Sequence, residues 1–152
     1  MNRNNPLFSI CIPTYNRSEN LKECLNSIIQ QDVFTPDNIE IIISDNCSTD
    51  NTEEISRAYA NKYPNIFYYR NEKNVTMENF PIVMSKANGE LAKLTHDTTI
   101  FENGSLKQII EIIKTNIEEK PPIFFLNSGK GCNSKCNNLE DFLYNVSFYT
   151  TW

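Results

Sequence analysis

Ile39-Glu40-Ile41-Ile42-Ile43-Ser44-Asp45-Asn46-Cys47-Ser48-Thr49-Asp50-Asn51-Thr52 is the stretch that decides how this chain folds. From Ile41 to Ile43 it is an unalternated run of β-branched isoleucine, the pattern of a strand covered on both faces. The run stops at Ser44-Asp45, and Ser48, Thr49, Asp50 and Asn51 then offer helix-capping oxygens before Glu53-Glu54. Open α/β sheets bind ligands outside the carboxyl ends of their strands. Asp45 stands at such an end and is the first residue to read as functional.

On the amino-terminal side, 7–12 reads as a first buried strand, which Pro13 ends by removing a donor from the ladder. Residues 14–17 make a turn. Ser18 reads as the N-cap of a helix whose stripe is Leu21, Leu25, Ile28 and Ile29. On the other side a helix over 51–62, with Ile55 and Tyr59 one turn apart, is broken by Pro64 before a strand at 66–70. Met77, Phe80, Val83, Met84 and Ala87 form the next helical stripe, with Asn88-Gly89 as its C-cap. A short strand at 91–94 precedes the helix marked by Leu106, Ile109, Ile110, Ile113 and Ile117. A strand at 123–126 follows, then a loop over 127–138 and a tail that fits either helix or strand. Strands alternating with helices at this spacing predict right-handed βαβ units and an α/β fold, a mostly parallel central sheet flanked by helices.

Composition narrows the function. A chain of 152 residues is most simply one domain, and at about this length some 68–70% of the unfolded surface is buried without staples. A net charge of -5 and a pI near 4.9 argue against nucleic acid as partner, since its binders carry clustered basic faces. The apolar run 7–13 lacks the basic flank and cleavage site of a signal peptide, and no run reaches transmembrane length. The five cysteines are Cys11, Cys24, Cys47, Cys132 and Cys136. An odd count without a secretion signal predicts reduced thiols in the cytoplasm. Cys132 and Cys136 flank Asn-Ser-Lys, but a zinc site needs four ligands and their partners are missing.

Three loops converge if the sheet is parallel: 13–17, 45–50 and 95–99. Tyr15 is placed to stack on a base, a contact worth about 1–3 kcal/mol, or else to cover the sheet edge. Asp45 is placed to accept hydrogen bonds from a base or a ribose, or else to cap the next helix. Asp97 suits a ribose or a divalent cation. His96 is either a metal or phosphate contact or a plain loop residue. Arg17 has Glu19 and Glu23 as default surface partners, and Arg70 and Lys73 read as solvated, with a phosphate contact as the alternative. There is no GxGxxG turn and no Walker sequence, which disfavours NAD-type dehydrogenases and P-loop enzymes. Phosphate would then be held by side chains and metal.

Ser9-Ile-Cys-Ile-Pro-Thr-Tyr-Asn-Arg17, Glu40-Ile-Ile-Ile-Ser-Asp-Asn-Cys-Ser-Thr-Asp-Asn-Thr52 and Gly89-Glu90 leading to Asp97 resemble the donor half of a family 2 glycosyltransferase with the Rossmann-like GT-A fold. The resemblance covers about residues 7–126, with 127–152 as the start of an incomplete acceptor half. It implies sugar transfer, with inversion, from a nucleoside-diphosphate sugar, a UDP-sugar first of all. The implied acceptor is a glycan or lipid-linked saccharide of a bacterial cell surface. The setting would be the cytoplasm, at the inner face of the membrane, with peripheral membrane association of the full-length protein.

The resemblance also assigns roles to residues. Pro13, Thr14 and Tyr15 would contact the base, Asp45 base or ribose, and the segment Thr95-His96-Asp97 ribose and a Mn²⁺ or Mg²⁺ on the diphosphate, with Arg17 in the same donor site. That segment departs from the family pattern. It has one carboxylate, with Thr98 at the neighbouring ligand position, so Asp97 and His96 are expected to hold metal weakly and only with substrate. The catalytic base is expected beyond residue 152, since Glu140-Asp141 follows Asp97 too closely. The chain is therefore expected to bind donor without transferring sugar. A degenerate, non-catalytic nucleotide-sugar-binding module is the alternative.

Overall fold

The computed structural model describes residues 5–116, 123–125 and 134–136. The chain divides into two units, Met1–Lys114 and Thr115–Trp152. In the first, a four-stranded sheet is formed by β1 (Phe8–Thr14), β2 (Ile39–Asp45), β3 (Ile66–Arg70) and β4 (Leu91–Leu94) in the order β3-β2-β1-β4, every pairing parallel. The helices are α1 (Ser18–Ile29), α2 (Thr52–Lys62), α3 (Asn79–Met84) and α4 (Ser105–Asn116). The second unit contains β5 (Ile123–Phe125) antiparallel to β6 (Ser134–Cys136). The α/β fold with a parallel sheet is as the sequence predicts.

β2 is buried at all seven positions, which is why its isoleucines do not alternate with polar residues. Ile41, Ile42 and Ile43 are wholly buried, as are Ile10, Cys11 and Ile12 beside them on β1. Leu21, Leu25 and Ile28 of α1 and Leu106, Ile110 and Ile113 of α4 bury their stripes as expected. Ile117 and the tail from 137 lie outside the described residues.

Several local expectations are corrected. β1 does not end at Pro13; it runs through to Thr14, with Pro13 registered against Ser44. Thr14 faces β2, since its carbonyl accepts Asn46 N, and Cys11 faces β4 through Thr95 N. By alternation the missing N–H of Pro13 faces the β4 side, beyond the four registered positions of that strand, so no ladder bond is lost. The stripe from Met77 is not one helix. Residues Thr76–Glu78 form a 3₁₀ turn, Met77 is 70% exposed, and Asn79 is buried in its stead. On α2 the buried residues are Thr52 and Ser56, with Ile55 half-buried. Residues 134–136, read as loop, form β6.

Gly89 is not the C-cap of α3, which ends five residues earlier at Met84. It begins the turn into β4 and lies against β1. A Cβ there would sit 2.6 Å from Ser9 Oγ and 2.8 Å from Ser9 N. The backbone approaches this closely because Gly89 N donates to Ser9 Oγ (2.8 Å) and to the buried Glu40 Oε1 (3.2 Å). Ser9 Oγ and Asn88 N donate to the same carboxylate oxygen.

Candidate functional site

The chain crosses from β3 on one side of β1 to β4 on the other, so the sheet has a topological switch point between β1 and β4. Ligands of open α/β sheets bind in the crevice beyond the strand ends at such a point. Three of the predicted residues meet there. Thr14, the last residue of β1, donates its hydroxyl to Asp97 Oδ2 (2.8 Å), and Arg17 Nη1 donates to Asp97 Oδ1 (3.3 Å). Asp97 is buried, 4% exposed. The partner of Arg17 is thus a carboxylate 80 positions away, rather than Glu19 or Glu23 on its own helix. Tyr15 follows Thr14 and is 42% exposed. Pro13 is half-buried.

Asp45 lies at the same sheet edge, registered directly against Thr14. It is wholly buried. Oδ1 accepts Ser48 N (2.8 Å), while Oδ2 accepts Tyr68 OH (2.9 Å) and Arg70 Nη1 (2.6 Å). Where the resemblance makes Asp45 a ligand contact, the structure gives both of its oxygens protein partners. The carboxylate also gives Arg70, an exposed residue, protein partners that the sequence does not predict: its guanidinium spans Asp45, the Ser48 carbonyl (2.8 Å) and Glu53 (3.3 Å). The hydrogen bond with Tyr68 and the charges of Asp45 and Glu53 hold the Arg70 guanidinium still more firmly protonated. Burial, then the bond to Asp45, raises the Tyr68 phenol well above its usual range.

The first two loops are tied together by side chains. Asn16 N donates to Ser48 Oγ (2.9 Å) and Asn16 Oδ1 accepts Thr49 N (2.7 Å). Asn16 and Cys47 both adopt positive φ, 51° and 64°, conformations that fold the two turns back on themselves. Ser18 does not cap α1. Asp50 reaches across to accept Ser18 N (3.1 Å) while its other oxygen accepts Thr52 N (3.0 Å), and Thr52 Oγ1 accepts Arg17 N (3.3 Å). Burial opposes ionisation of Asp50, but the bonds from Thr52 and Ser18 outweigh it and lower its pKa.

Sequence reasoning missed the amide cluster behind β2. Asn46 bonds Asn74, Asn71 and Val75 N, and Asn79 bonds both the hydroxyl and the carbonyl of Ser44. The only signal was the density of asparagine between 71 and 79.

The segment 95–99 does not fit a metal held by protein groups. Asp97 is its one carboxylate, and both oxygens are engaged. His96 is exposed where Asp97 is buried, and Thr98 is an exposed neutral hydroxyl. Among the described residues no three His, Cys, Asp or Glu side chains gather into a potential metal site. Thr95 is buried, and its hydroxyl has no partner among the described residues. Burial and then the Asp97 charge push the Cys24 thiol, behind His96, up to about 12.

The profile of glycosyl transferase family 2 matches residues 9–119. The chain belongs to glycosyl transferase family 2. Among relatives of this family, abequosyltransferase RfbV of Salmonella typhimurium is 39% identical over 130 residues, covering 84% of this chain and 38% of RfbV. Poly(ribitol-phosphate) β-N-acetylglucosaminyltransferase TarS of Staphylococcus aureus is 32% identical over 108 residues, covering 70% of this chain and 18% of TarS. The chain thus spans well under half the length of these family 2 relatives. The crystal structure of TarS 1–349 aligns with a TM-score of 0.66 at 29% identity, covering 72% of this chain and 33% of that one. The mannosyltransferase PcManGT of Pyrobaculum calidifontis, solved with GDP-Man and Mn²⁺, aligns with a TM-score of 0.62 over 74% of this chain and 32% of its own; at 22% identity it supports the fold alone. The chain shares the GT-A fold of these glycosyltransferase neighbours.

Proposed function

We propose that this chain is the donor-binding part of a transferase that moves sugar from a nucleoside-diphosphate sugar to a glycan or lipid-linked acceptor in cell-surface polysaccharide synthesis. The observation that carries the reading is the Thr14–Asp97–Arg17 constellation at the β1/β4 switch point, with the exposed Tyr15 next to Thr14. Tyr15 stacks on the base. Thr14 and Asp97 form the ribose side of the crevice, and the Asp45–Arg70 pair is the rigid wall that sets the loop positions. A UDP-sugar is favoured, because TarS has been solved with UDP and with UDP-GlcNAc. Mn²⁺ or Mg²⁺ comes with the resemblance, but a single engaged carboxylate gives no ground for routing a step through it.

Inversion needs a base for the incoming hydroxyl, and among the described residues Asp45 and Asp97 are both committed to protein partners. The 152 residues bind donor without completing transfer, and the whole protein acts at the inner face of the membrane. No described helix is itself long and apolar enough to cross one. A thermal-shift panel of UDP-, GDP-, dTDP- and CDP-sugars tests the reading. Stabilisation by one of them, lost in Tyr15→Ala, is expected; a flat response to all four defeats it.

The single carboxylate of 95–99 favours a second reading, a non-catalytic nucleotide-sugar-binding module. Release of nucleoside diphosphate by the full-length protein, lost in Asp97→Asn, decides for the enzyme.

A further inference from the structure

We infer that Arg17 supplies the positive charge at the diphosphate position, so that nucleoside diphosphate binds this chain without a divalent cation. The inference rests on the nucleotide-sugar reading above. It begins from the mismatch between the metal that the resemblance implies and the donors present. Mg²⁺ demands near-octahedral oxygen ligation and is held through one or two free carboxylates plus substrate phosphates. Here there is one carboxylate, buried, with Thr14 on one oxygen and a guanidinium on the other. A cation approaching Asp97 would have to displace Arg17.

Arg17 is equipped for the task. A guanidinium carries five N–H donors in a planar fork that matches phosphate oxygens two at a time. Only Nη1 is engaged by Asp97, and the side chain stays 54% exposed. The other arginine at this sheet edge is differently placed: the Arg70 side chain is 28% exposed and spread over Asp45, Glu53 and the Ser48 carbonyl. Of the two, Arg17 is the one with donors left for a ligand.

Its position is set at both ends. The backbone N–H is held by Thr52 Oγ1 and the guanidinium by Asp97, so the fork is fixed before ligand arrives. Asp97 is then a positioning residue for Arg17 rather than a metal ligand. Charge-assisted bonds from a preorganised arginine do here what a bridging cation does elsewhere: they offset the negative charge of the diphosphate.

The test is isothermal titration of UDP, GDP, dTDP and CDP into the chain, in EDTA and in excess Mn²⁺, with the matching nucleosides followed by ligand-observed NMR. For the diphosphate that binds, the two buffers are expected to agree within about twofold. Arg17→Gln is expected to weaken the diphosphate about tenfold or more, as loss of a charge-assisted contact does, and to leave the nucleoside unchanged. Arg17→Lys recovers part of the loss, and Asp97→Asn weakens the diphosphate in EDTA as well. Diphosphate binding that requires Mn²⁺ in the unsubstituted chain overturns the inference while leaving the nucleotide-sugar reading intact. An Arg17→Gln variant that is folded by circular dichroism and binds diphosphate normally overturns it too. If that variant does not fold, the EDTA comparison and Arg17→Lys still decide. Failure of all four diphosphates in both buffers defeats the underlying reading itself.

Discussion

Thr14 and Asp97, 83 positions apart in the chain, share a buried 2.8 Å hydrogen bond that ties the end of β1 to the loop after β4. The hydroxyl is one of two groups that satisfy a carboxylate with almost no access to water. Thr14→Val keeps the shape and removes the donor. A buried acceptor deprived of a partner costs about 1–3 kcal/mol, so urea unfolding is expected to show a loss in that range. An unchanged midpoint would mean that Asp97 does not depend on the bond.

Asp45 and Arg70 form the other charged contact at this edge, 2.6 Å apart with Asp45 fully buried. Removing Arg70 strips the buried carboxylate of its counter-charge while Ser48 N and Tyr68 OH remain, so the cost is expected at about 3 kcal/mol, the low end for a buried pair. Arg70→Met and Asp45→Asn are each expected to be strongly destabilising, with the double variant far less so than their sum. Additive losses in a double-mutant cycle would show that the pair is not energetically coupled.

Asp50 ties the starts of α1 and α2, and its pKa lies below the ordinary 3.8. A carboxylate with a depressed folded pKa contributes stability that is complete above the unfolded pKa and is lost as pH falls through the folded one. The chain is therefore expected to lose stability progressively below about pH 4. Asp50→Asn is expected to flatten that acid limb while leaving the neutral-to-alkaline side parallel. Melting temperatures from pH 2 to 7, about the span over which carboxylates titrate, provide the check.

Gly89→Ala places a methyl against both Oγ and backbone N of Ser9. Overpacking of this kind costs about 1–3 kcal/mol. Because one of the two clashes is with backbone, Ser9→Ala is not expected to rescue it. Full recovery in the Gly89→Ala, Ser9→Ala double variant, measured by thermal melting, would contradict the geometry.

Much of this was legible in the residues. The isoleucine run of β2, the stripes of α1 and α4, and the turn residues after Ile12 and Ile43 are local patterns with a period or a composition of their own. Met77 shows where periodicity fails: it continues a helical stripe on paper, yet buried Asn79 wins the inward position by bonding both polar groups of Ser44. Arg70 shows the same limit for charge. Nothing around it in the sequence distinguishes a solvated arginine from one clamped on a buried carboxylate, because the carboxylate is 25 residues away.

From its sequence alone this chain is an α/β protein whose functional groups lie at the carboxyl ends of parallel strands, because strand burial and helix amphipathicity are written in short-range order. Which partner each group takes was settled only by tertiary structure. Arg17 meets Asp97 rather than the glutamates of its own helix, and Asp45 is sealed by Tyr68 and Arg70 rather than left open. Such choices depend on strand order and register, which bring distant side chains within hydrogen-bond reach, and a linear sequence carries no direct measure of those distances.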